Sequence, residues 1–299
     1  MASRIVKRLF GTILVLILLV VLGVGVVYLL SSRHLNRVYS VTPVALTIPT
    51  DSATLERGRH LVTVRLGCTG CHESDLGGKV FIDAMPFGRF VASNLTSSGA
   101  TGSYTDADWV RAVRNGLRPN GKPLLFMPSQ VFAALSAEDL AATIAYVKSV
   151  QPVTRTLAAS AVGPIGRALI VFKKAQLLPA ELIDHQASLT VAPWPAATAE
   201  YGNYLVSTGG CFVCHGPGLS GGKLAGAPED PPARNITPTG IGSWSEADFI
   251  RALREGTRPD GTKINPFMPW QTMGKMSDDE LLAIYRYLRT VPARENGTS

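Results

Sequence analysis

The four cysteines of the chain fall into two pairs with one spacing, Cys68-Thr69-Gly70-Cys71-His72 and Cys211-Phe212-Val213-Cys214-His215. Two thiols three positions apart reach one edge of a porphyrin and form thioethers with its two vinyl groups. A histidine directly after the second thiol then lies below the central metal. This combination is the signature of covalent haem attachment. The pattern assigns Cys68, Cys71 and the proximal ligand His72 to one haem, and Cys211, Cys214 and His215 to a second. The expected cofactor is haem c, in two covalently bound copies, with iron. A zinc site would need cysteines of both pairs to converge on one metal, although each pair has its own complete set. A thioredoxin-like dithiol needs a βαβ context, and none flanks either pair. Disulfides are open to an exported chain, but the histidine after each pair argues against them.

The sixth iron position separates an electron carrier from a haem that binds oxygen or peroxide. Met127 lies 55 residues after His72, and Met268 lies 53 after His215. That is the length a chain needs to wrap a haem edge and return on the opposite face. Both methionines stand in Phe-Met-Pro, where proline holds the preceding residue extended. The bland alternative is that methionines fill the core. Met85 lies only 13 residues after His72. Met85, Met273 and Met276 all lack a partner in the other half of the chain, so Met127 and Met268 are the expected ligands. His34, His60 and His185 are expected to be structural or solvated. Arg118 and Arg258, each in an Arg-Pro-(Asn/Asp)-Gly turn, and Asn94 and Asn235 are candidates for haem propionates, because arginine suits carboxylates.

These residues recur because the chain repeats itself, and a repeat fixes organisation before any other signal. Asn94-Leu95-Thr96 returns as Asn235-Ile236-Thr237. DADWVRAVRNGLRPNG, 106–121, returns as EADFIRALREGTRPDG, 246–261. SAEDLAATIAYVKSV, 136–150, returns as SDDELLAIYRYLRTV, 277–291. An apolar, helical stretch precedes each CxxCH. Thr105 with Asp108, and Ser245 with Asp248, are imperfect capping-box starts. Ser277 with Glu280 is a full one, and Ser136 with Asp139 is its counterpart. The Gly/Pro-rich stretches between these helices contain no convincing strand alternation.

Leu9 to Leu30 is a run of 22 residues without a charge, long enough as a helix to span a hydrocarbon core. Arg4, Lys7 and Arg8 precede it, which keeps that end in the cytoplasm. A cleaved signal peptide would have a shorter apolar region followed by a small-x-small site, and this run ends in Val27-Tyr28-Leu29-Leu30-Ser31-Ser32-Arg33. The reading is a single-pass cell-membrane anchor with the haem domains on the outer, periplasmic side. Of the formal charge of +7, residues 1–50 hold +5 and the remainder only +2. The basic balance belongs to the anchor, so no nucleic-acid partner is expected. Between the repeats, GRALIVFKKAQLL, 166–178, reads as a linker helix packed on the domains, or alternatively as a helix resting on the membrane surface.

The second repeat, through EYGNYLVSTGGCFVCHGPGLSGG, RNITPTGIGSWSEADFIRALREGTRPDG and FMPW, resembles the haem c domains in cytochrome subunits of membrane-bound alcohol, aldehyde and gluconate dehydrogenases. So does the first, through GCTGCHESDLGGK, MPFGRFVASNLT and the 106–121 block. LLPAELIDH, 177–185, is similar to a linker in such proteins. Those subunits commonly hold three haems and a carboxy-terminal anchor, whereas two attachment motifs and an amino-terminal apolar run occur here. The resemblance implies an all-α fold of two tandem cytochrome c domains after one amino-terminal transmembrane helix. The expected boundaries are anchor 1–40, domain one 50–152, linker 153–197 and domain two 198–295. It implies His/Met haems and electron transfer without a substrate reaction of the chain's own. The expected partners are the membrane and a redox protein: a dehydrogenase subunit, a quinol-linked complex or a terminal oxidase. The competing functions are a two-haem peroxidase and the cytochrome subunit of an oxidase complex.

Overall fold

A computed structural model of the chain describes residues 2–223 and 231–298. It is mostly helical. The first element, α1 (Ala2–Leu35), is one unbroken 34-residue helix. Its large apolar side chains from Ile5 to Leu29 are exposed, a surface that water does not tolerate and hydrocarbon does. Length and composition make it the one candidate span among the described residues.

The first repeat opens with α2 (Ser52–His60), which Asp51 caps by accepting from the Thr54 N–H at 3.0 Å. The helix runs into a π-turn at Leu61–Arg65 and then reaches α3 (Cys68–His72). After two strands, β1 (Lys79–Ala84) and β2 (Gly88–Ala92), come α4 (Asp106–Asn115), α5 (Ser129–Phe132) and α6 (Ala137–Ser149). The connecting segment contributes β3 (Ala161–Val162) and α7 (Pro164–Val171). The second repeat then runs α8 (Ala199–Thr208), α9 (Cys211–His215), α10 (Pro238–Ile241), α11 (Glu246–Glu255), α12 (Trp270–Met273) and α13 (Asp278–Leu288).

In both halves the helix before CxxCH crosses the last helix of the repeat at a glycine. A Cβ on Gly58 would lie 2.0 Å from the Ala142 carbonyl oxygen, and one on Gly202 would lie 1.9 Å from that of Ala283. Only hydrogen fits there, so α2 against α6 and α8 against α13 make the same crossing. The halves differ by one residue here: ten positions separate Gly58 from Cys68, and nine separate Gly202 from Cys211. The π-turn absorbs the extra residue, as such turns do inside α-helices.

Each half has its own core. Val62, Trp109, Leu135, Leu140 and Ile144 anchor the first. Tyr201, Leu205, Phe249, Leu281 and Ile284 anchor the second, which also takes Val64 from the first repeat. The capping boxes at Thr105/Asp108, Ser245/Asp248 and Ser277/Glu280 are all reciprocal. The one at Ser136 is not. Ser136 Oγ accepts from the Asp139 N–H, but the Asp139 carboxylate turns away to other partners.

One expectation is corrected. The stretch after the first CxxCH is not free of strand: β1 and β2 form an antiparallel hairpin, and β3 pairs with β2. The hairpin shows no alternation because β1 is a largely exposed edge with two exposed residues for each half-buried one, so the period-2 signal is missing. The first repeat also leans on residues 1–40. The Tyr39 N–H donates to the Gly121 carbonyl at 3.0 Å, and Lys122 Nζ donates to Asn36 Oδ1 at 3.0 Å. His34 Nδ1 lies 2.6 Å from Glu181 Oε1, and Leu35 joins a small core with Phe90, Ile170, Leu177 and Leu178.

A truncation experiment should register this. Exported with a replacement signal, a chain lacking residues 1–30 should be soluble and melt as the full chain does. Removal of residues 1–40 should lower the midpoint by several degrees, since about 2 kcal/mol is a modest loss for these contacts and 1 kcal/mol shifts Tm by about 2–4 °C at this size. Equal midpoints would show that residues 31–40 contribute nothing.

Candidate functional site

The first candidate site is one cavity lined by Cys68, Cys71, His72 and Met127, with Tyr104, Trp109, Phe81, Phe90, Phe126 and Phe132 around them. The structure therefore brings together the four residues that the first motif predicts. Met85 is exposed in the β1–β2 turn and is not among the lining residues. α3 starts from Gly67, whose left-handed backbone (φ 63°) sets the sharp entry to the motif. Gly210 (φ 69°) does the same for α9.

The histidines are oriented alike. His72 Nδ1 is 2.8 Å from the Ser93 carbonyl oxygen, and His215 Nδ1 is 2.7 Å from that of Arg234. A carbonyl partner makes Nδ1 the protonated nitrogen and leaves Nε2 with its lone pair, the tautomer a metal-bound histidine takes. Burial pushes both imidazoles below the usual range, against the carbonyl bonds that raise them, so both are neutral at neutral pH. Burial also pushes the Cys68 thiol up to about 12 and the Cys211 thiol up to about 11. A site that penalises thiolates suits uncharged thioethers and opposes a zinc–thiolate centre. No disulfide joins the four cysteines, and no metal-sized cluster of three or more His, Cys, Asp or Glu occurs among the described residues. The donor set thus fits haem c with iron.

In the second repeat, His215 is buried. Cys211 and Met268 pack against the same core, together with Ile236 and Trp244. The matching Phe-Met-Pro segments are built differently. Phe126 is left-handed (φ 65°), a costly state for an aromatic residue. It is held by an N–H bond to the Leu177 carbonyl at 3.0 Å and by its ring against Phe81 and Phe90 at 5.8 and 5.4 Å. Phe267 has no such backbone; its N–H bonds to Asn265 Oδ1 at 2.9 Å, and its side chain is 53% exposed. The hairpin lines the first site through Phe81, Phe90, Val91 and Ala92. Around the second site Phe212, Val213 and Phe267 are exposed. Met273 lies in α12, and Met276 is buried core.

Of the propionate candidates, the side chains of Asn94, Asn235 and Arg258 are bonded within the protein. Asn94 Oδ1 accepts from the Thr96 N–H and hydroxyl, and its Nδ2 donates to the Val153 carbonyl at 2.6 Å. Asn235 repeats this with Thr237 and the Arg294 carbonyl at 2.7 Å. Both amides clamp the chain exit of their repeat. Arg258 donates within its own loop to Thr262 and to the Lys263 carbonyl, and Arg118 closes the matching turn through its backbone with Lys122.

A cluster that the sequence analysis missed lies where the repeats meet. Asp139, fully buried, receives Arg57 Nε at 2.6 Å, Arg65 at 3.2 Å and the Tyr204 hydroxyl at 2.7 Å. The Tyr204 hydroxyl in turn accepts from the Ser136 N–H at 3.1 Å, taking the place of Asp139 in the cap. Glu280 holds His60 at 2.9 Å and faces Arg65 at 3.7 Å. Burial pushes Asp139 up, but Arg65, Tyr204 and Arg57 outweigh it and hold the carboxyl below the usual range. Glu280 is likewise lowered, with His60, the Ser277 N–H and Arg65 outweighing burial. His60, expected to be structural or solvated, is structural. His34 pairs with Glu181, and His185 bonds the Ala180 carbonyl and Asn115. The signal in the sequence was the broken match itself: His60 stands opposite Tyr204 in the repeat, and Asp139 opposite Glu280.

Residues 199–292 match the cytochrome c family. The chain is 30% identical over 289 residues to the cytochrome c subunit of an alcohol dehydrogenase (quinone) from Gluconacetobacter polyoxogenes, covering 84% of this chain and 58% of that one. It is 31% identical over 281 residues to the gluconate 2-dehydrogenase cytochrome c subunit of Pantoea cypripedii, covering 82% and 61%. With the fructose dehydrogenase cytochrome subunit of Gluconobacter japonicus it shares 26% over 267 residues, covering 80% and 53%. The chain thus spans little more than half the length of these relatives. All three are cytochrome subunits of dehydrogenases.

Proposed function

From a chain that carries a cytochrome c domain at residues 199–292 and is homologous to cytochrome c subunits of dehydrogenases, we propose a membrane-anchored dihaem electron relay. It accepts electrons from a dehydrogenase and passes them toward a terminal acceptor. The two cytochrome c domains are residues 50–152 and 198–295, with 1–40 as anchor and 153–197 as linker. Cys68 and Cys71 attach one haem, with His72 and Met127 on the iron. Cys211 and Cys214 attach the other, with His215 and Met268. The domains lie on the periplasmic side, opposite Arg4, Lys7 and Arg8.

The observation that carries the reading is the cavity that gathers Cys68, Cys71, His72 and Met127 within an aromatic wall. The reciprocal caps, the two glycine crossings and the matched Nδ1–carbonyl bonds support a second copy of the same arrangement. Haem iron supplies the one-electron couple. The chain's own residues do the rest: the carbonyls of Ser93 and Arg234 hold the imidazoles, the thioether of Met127 or Met268 closes the iron to substrate, and the aromatic wall excludes water.

The partner reading rests on the similarity to cytochrome subunits of dehydrogenases, and pull-down of a dehydrogenase subunit from mild detergent tests it. For the relay itself, the purified holoprotein should show two low-spin haems with the methionine–iron charge-transfer band. Peroxide turnover with a reduced dye should be negligible. Turnover on the order of 10 per second together with a high-spin haem would replace the relay with a peroxidase.

A further inference from the structure

A second cavity, of about 400 Å³, lies away from both candidate haem sites at the outer end of α1. It is lined by His34, Arg37, Tyr39, Lys173, Glu181 and His185. α7 packs along α1 beside it. Arg167 donates to Ser31 and Ser32 Oγ at 3.0 and 3.2 Å, and its guanidinium sits 4.6 Å above the Tyr28 ring. Ile165 on this helix and Phe172 at its C-cap are exposed at 50% and 64%. Lys173 and Lys174 follow directly. A short helix pinned to the end of a hydrophobic span, with bare apolar side chains ahead of a basic pair, has the composition of a segment in the headgroup layer.

The charge in the cavity is also arranged. Glu181 is its one carboxylate, and it is occupied by His34 at 2.6 Å. Among the described residues, no carboxylate lies within salt-bridge distance of Arg37 or Lys173. Arg37 is held in place by the Tyr39 ring, 4.6 Å from its guanidinium, and that ring rests edge-on against His185 at 5.4 Å. Two unpaired cations, one of them pre-positioned, face a cavity just beyond the carboxy-terminal end of α1.

We propose that this cavity binds the phosphate headgroup of an anionic phospholipid through Arg37 and Lys173, with Phe172 and Ile165 against its acyl chains. The site orients the first repeat on the membrane, because Ala180, Glu181 and Ile183 of its lining continue the segment whose Leu177 carbonyl accepts from the Phe126 N–H beside Met127. The inference rests on α1 spanning the bilayer. Resistance of the chain to alkaline-carbonate extraction tests that premise separately, and the lipid experiment is read on chain that has passed it.

The full-length holoprotein is equilibrated in mild detergent with equal amounts of phosphatidylglycerol and phosphatidylcholine, and retained lipid is read by native mass spectrometry. One phosphatidylglycerol per chain should be retained in preference to phosphatidylcholine. Arg37→Gln and Lys173→Asn should each weaken retention roughly fivefold, as expected for about 1 kcal/mol per basic side chain near an anionic surface. Asn suits position 173 because Lys173 is left-handed, with φ 53°. Lys7→Asn, at the other end of α1, should retain lipid like the wild type. Unaltered haem spectra in each variant exclude misfolding. Equal retention of the two lipids, equal loss in Lys7→Asn, or full retention in both cavity variants would overturn the site. Displacement by millimolar inorganic phosphate would overturn the lipid assignment in favour of a soluble anion.

Discussion

Replacing Met127 by His is expected to lower the midpoint potential of one haem by on the order of 0.2 V and to leave the other where it was. Axial ligation spans roughly 0.8 V across haem proteins, and a thioether favours ferrous iron where a second imidazole favours ferric. The two sites share no ligand, so Met268→His should shift the other step alone. A redox titration of wild type and both variants therefore reads ligand identity and haem number together. Two steps, each moved by one substitution, require two haems with these two methionines. Met85→His is the internal control. Met85 is 62% exposed in the β1–β2 turn, so its replacement should move neither step. Unchanged potentials in Met127→His would assign the sixth position of the first site to another residue.

The second large effect is expected from Arg65→Ala. The Arg65 side chain is 5% exposed between Asp139 at 0% and Glu280 at 9%. Its removal strips a cation from two buried carboxylates that belong to α6 and α13, one in each repeat. Breaking a buried pair on one side costs about 3–5 kcal/mol; with Arg57 and His60 still in place the lower end applies, a fall in Tm of roughly 6–12 °C.

The acid profile should move as well. Asp139 and Glu280 both titrate below their usual values in the folded chain. Their contribution is complete above the unfolded carboxylate values, near 4, and is lost as pH falls through the folded ones. Without Arg65 both folded values rise toward the unfolded ones, so the variant has less stability to lose as pH falls below about 4. Melting curves of wild type and variant from neutral pH to about 2 test this. A variant with the same midpoint and the same acid profile would show that the contact between the repeats does not depend on this network.

The chemistry of the chain was legible because it is local. Thiol spacing and an adjacent histidine are set by a single helical turn, so Cys68, Cys71 and His72 can be recognised without knowing the fold. The capping residues Thr105, Ser245 and Ser277 are likewise local, and a duplicated order of motifs needs no contacts to be seen. The apolar run of α1 is a property of composition alone.

What tertiary structure decided is where unlike surroundings meet like sequence. Phe126-Met127-Pro128 and Phe267-Met268-Pro269 are the same tripeptide, but residue 126 is held left-handed by the Leu177 carbonyl and by the Phe81 and Phe90 rings of the β1–β2 hairpin, whereas the Phe267 N–H bonds to Asn265 Oδ1. That hairpin left no alternation because neither face of its edge strand is uniformly buried. Asn94 and Asn235 looked like ligand contacts and proved to be clamps, since an amide side chain offers the same donors and acceptors to a backbone as to a propionate. Asp139 has the position of a capping residue, yet Tyr204, from a helix 65 residues away, takes over the cap and draws the carboxylate toward Arg57 and Arg65. Such exchanges depend on which distant side chain arrives, and burial decides that, because a carboxylate removed from water must take the strongest donors within reach.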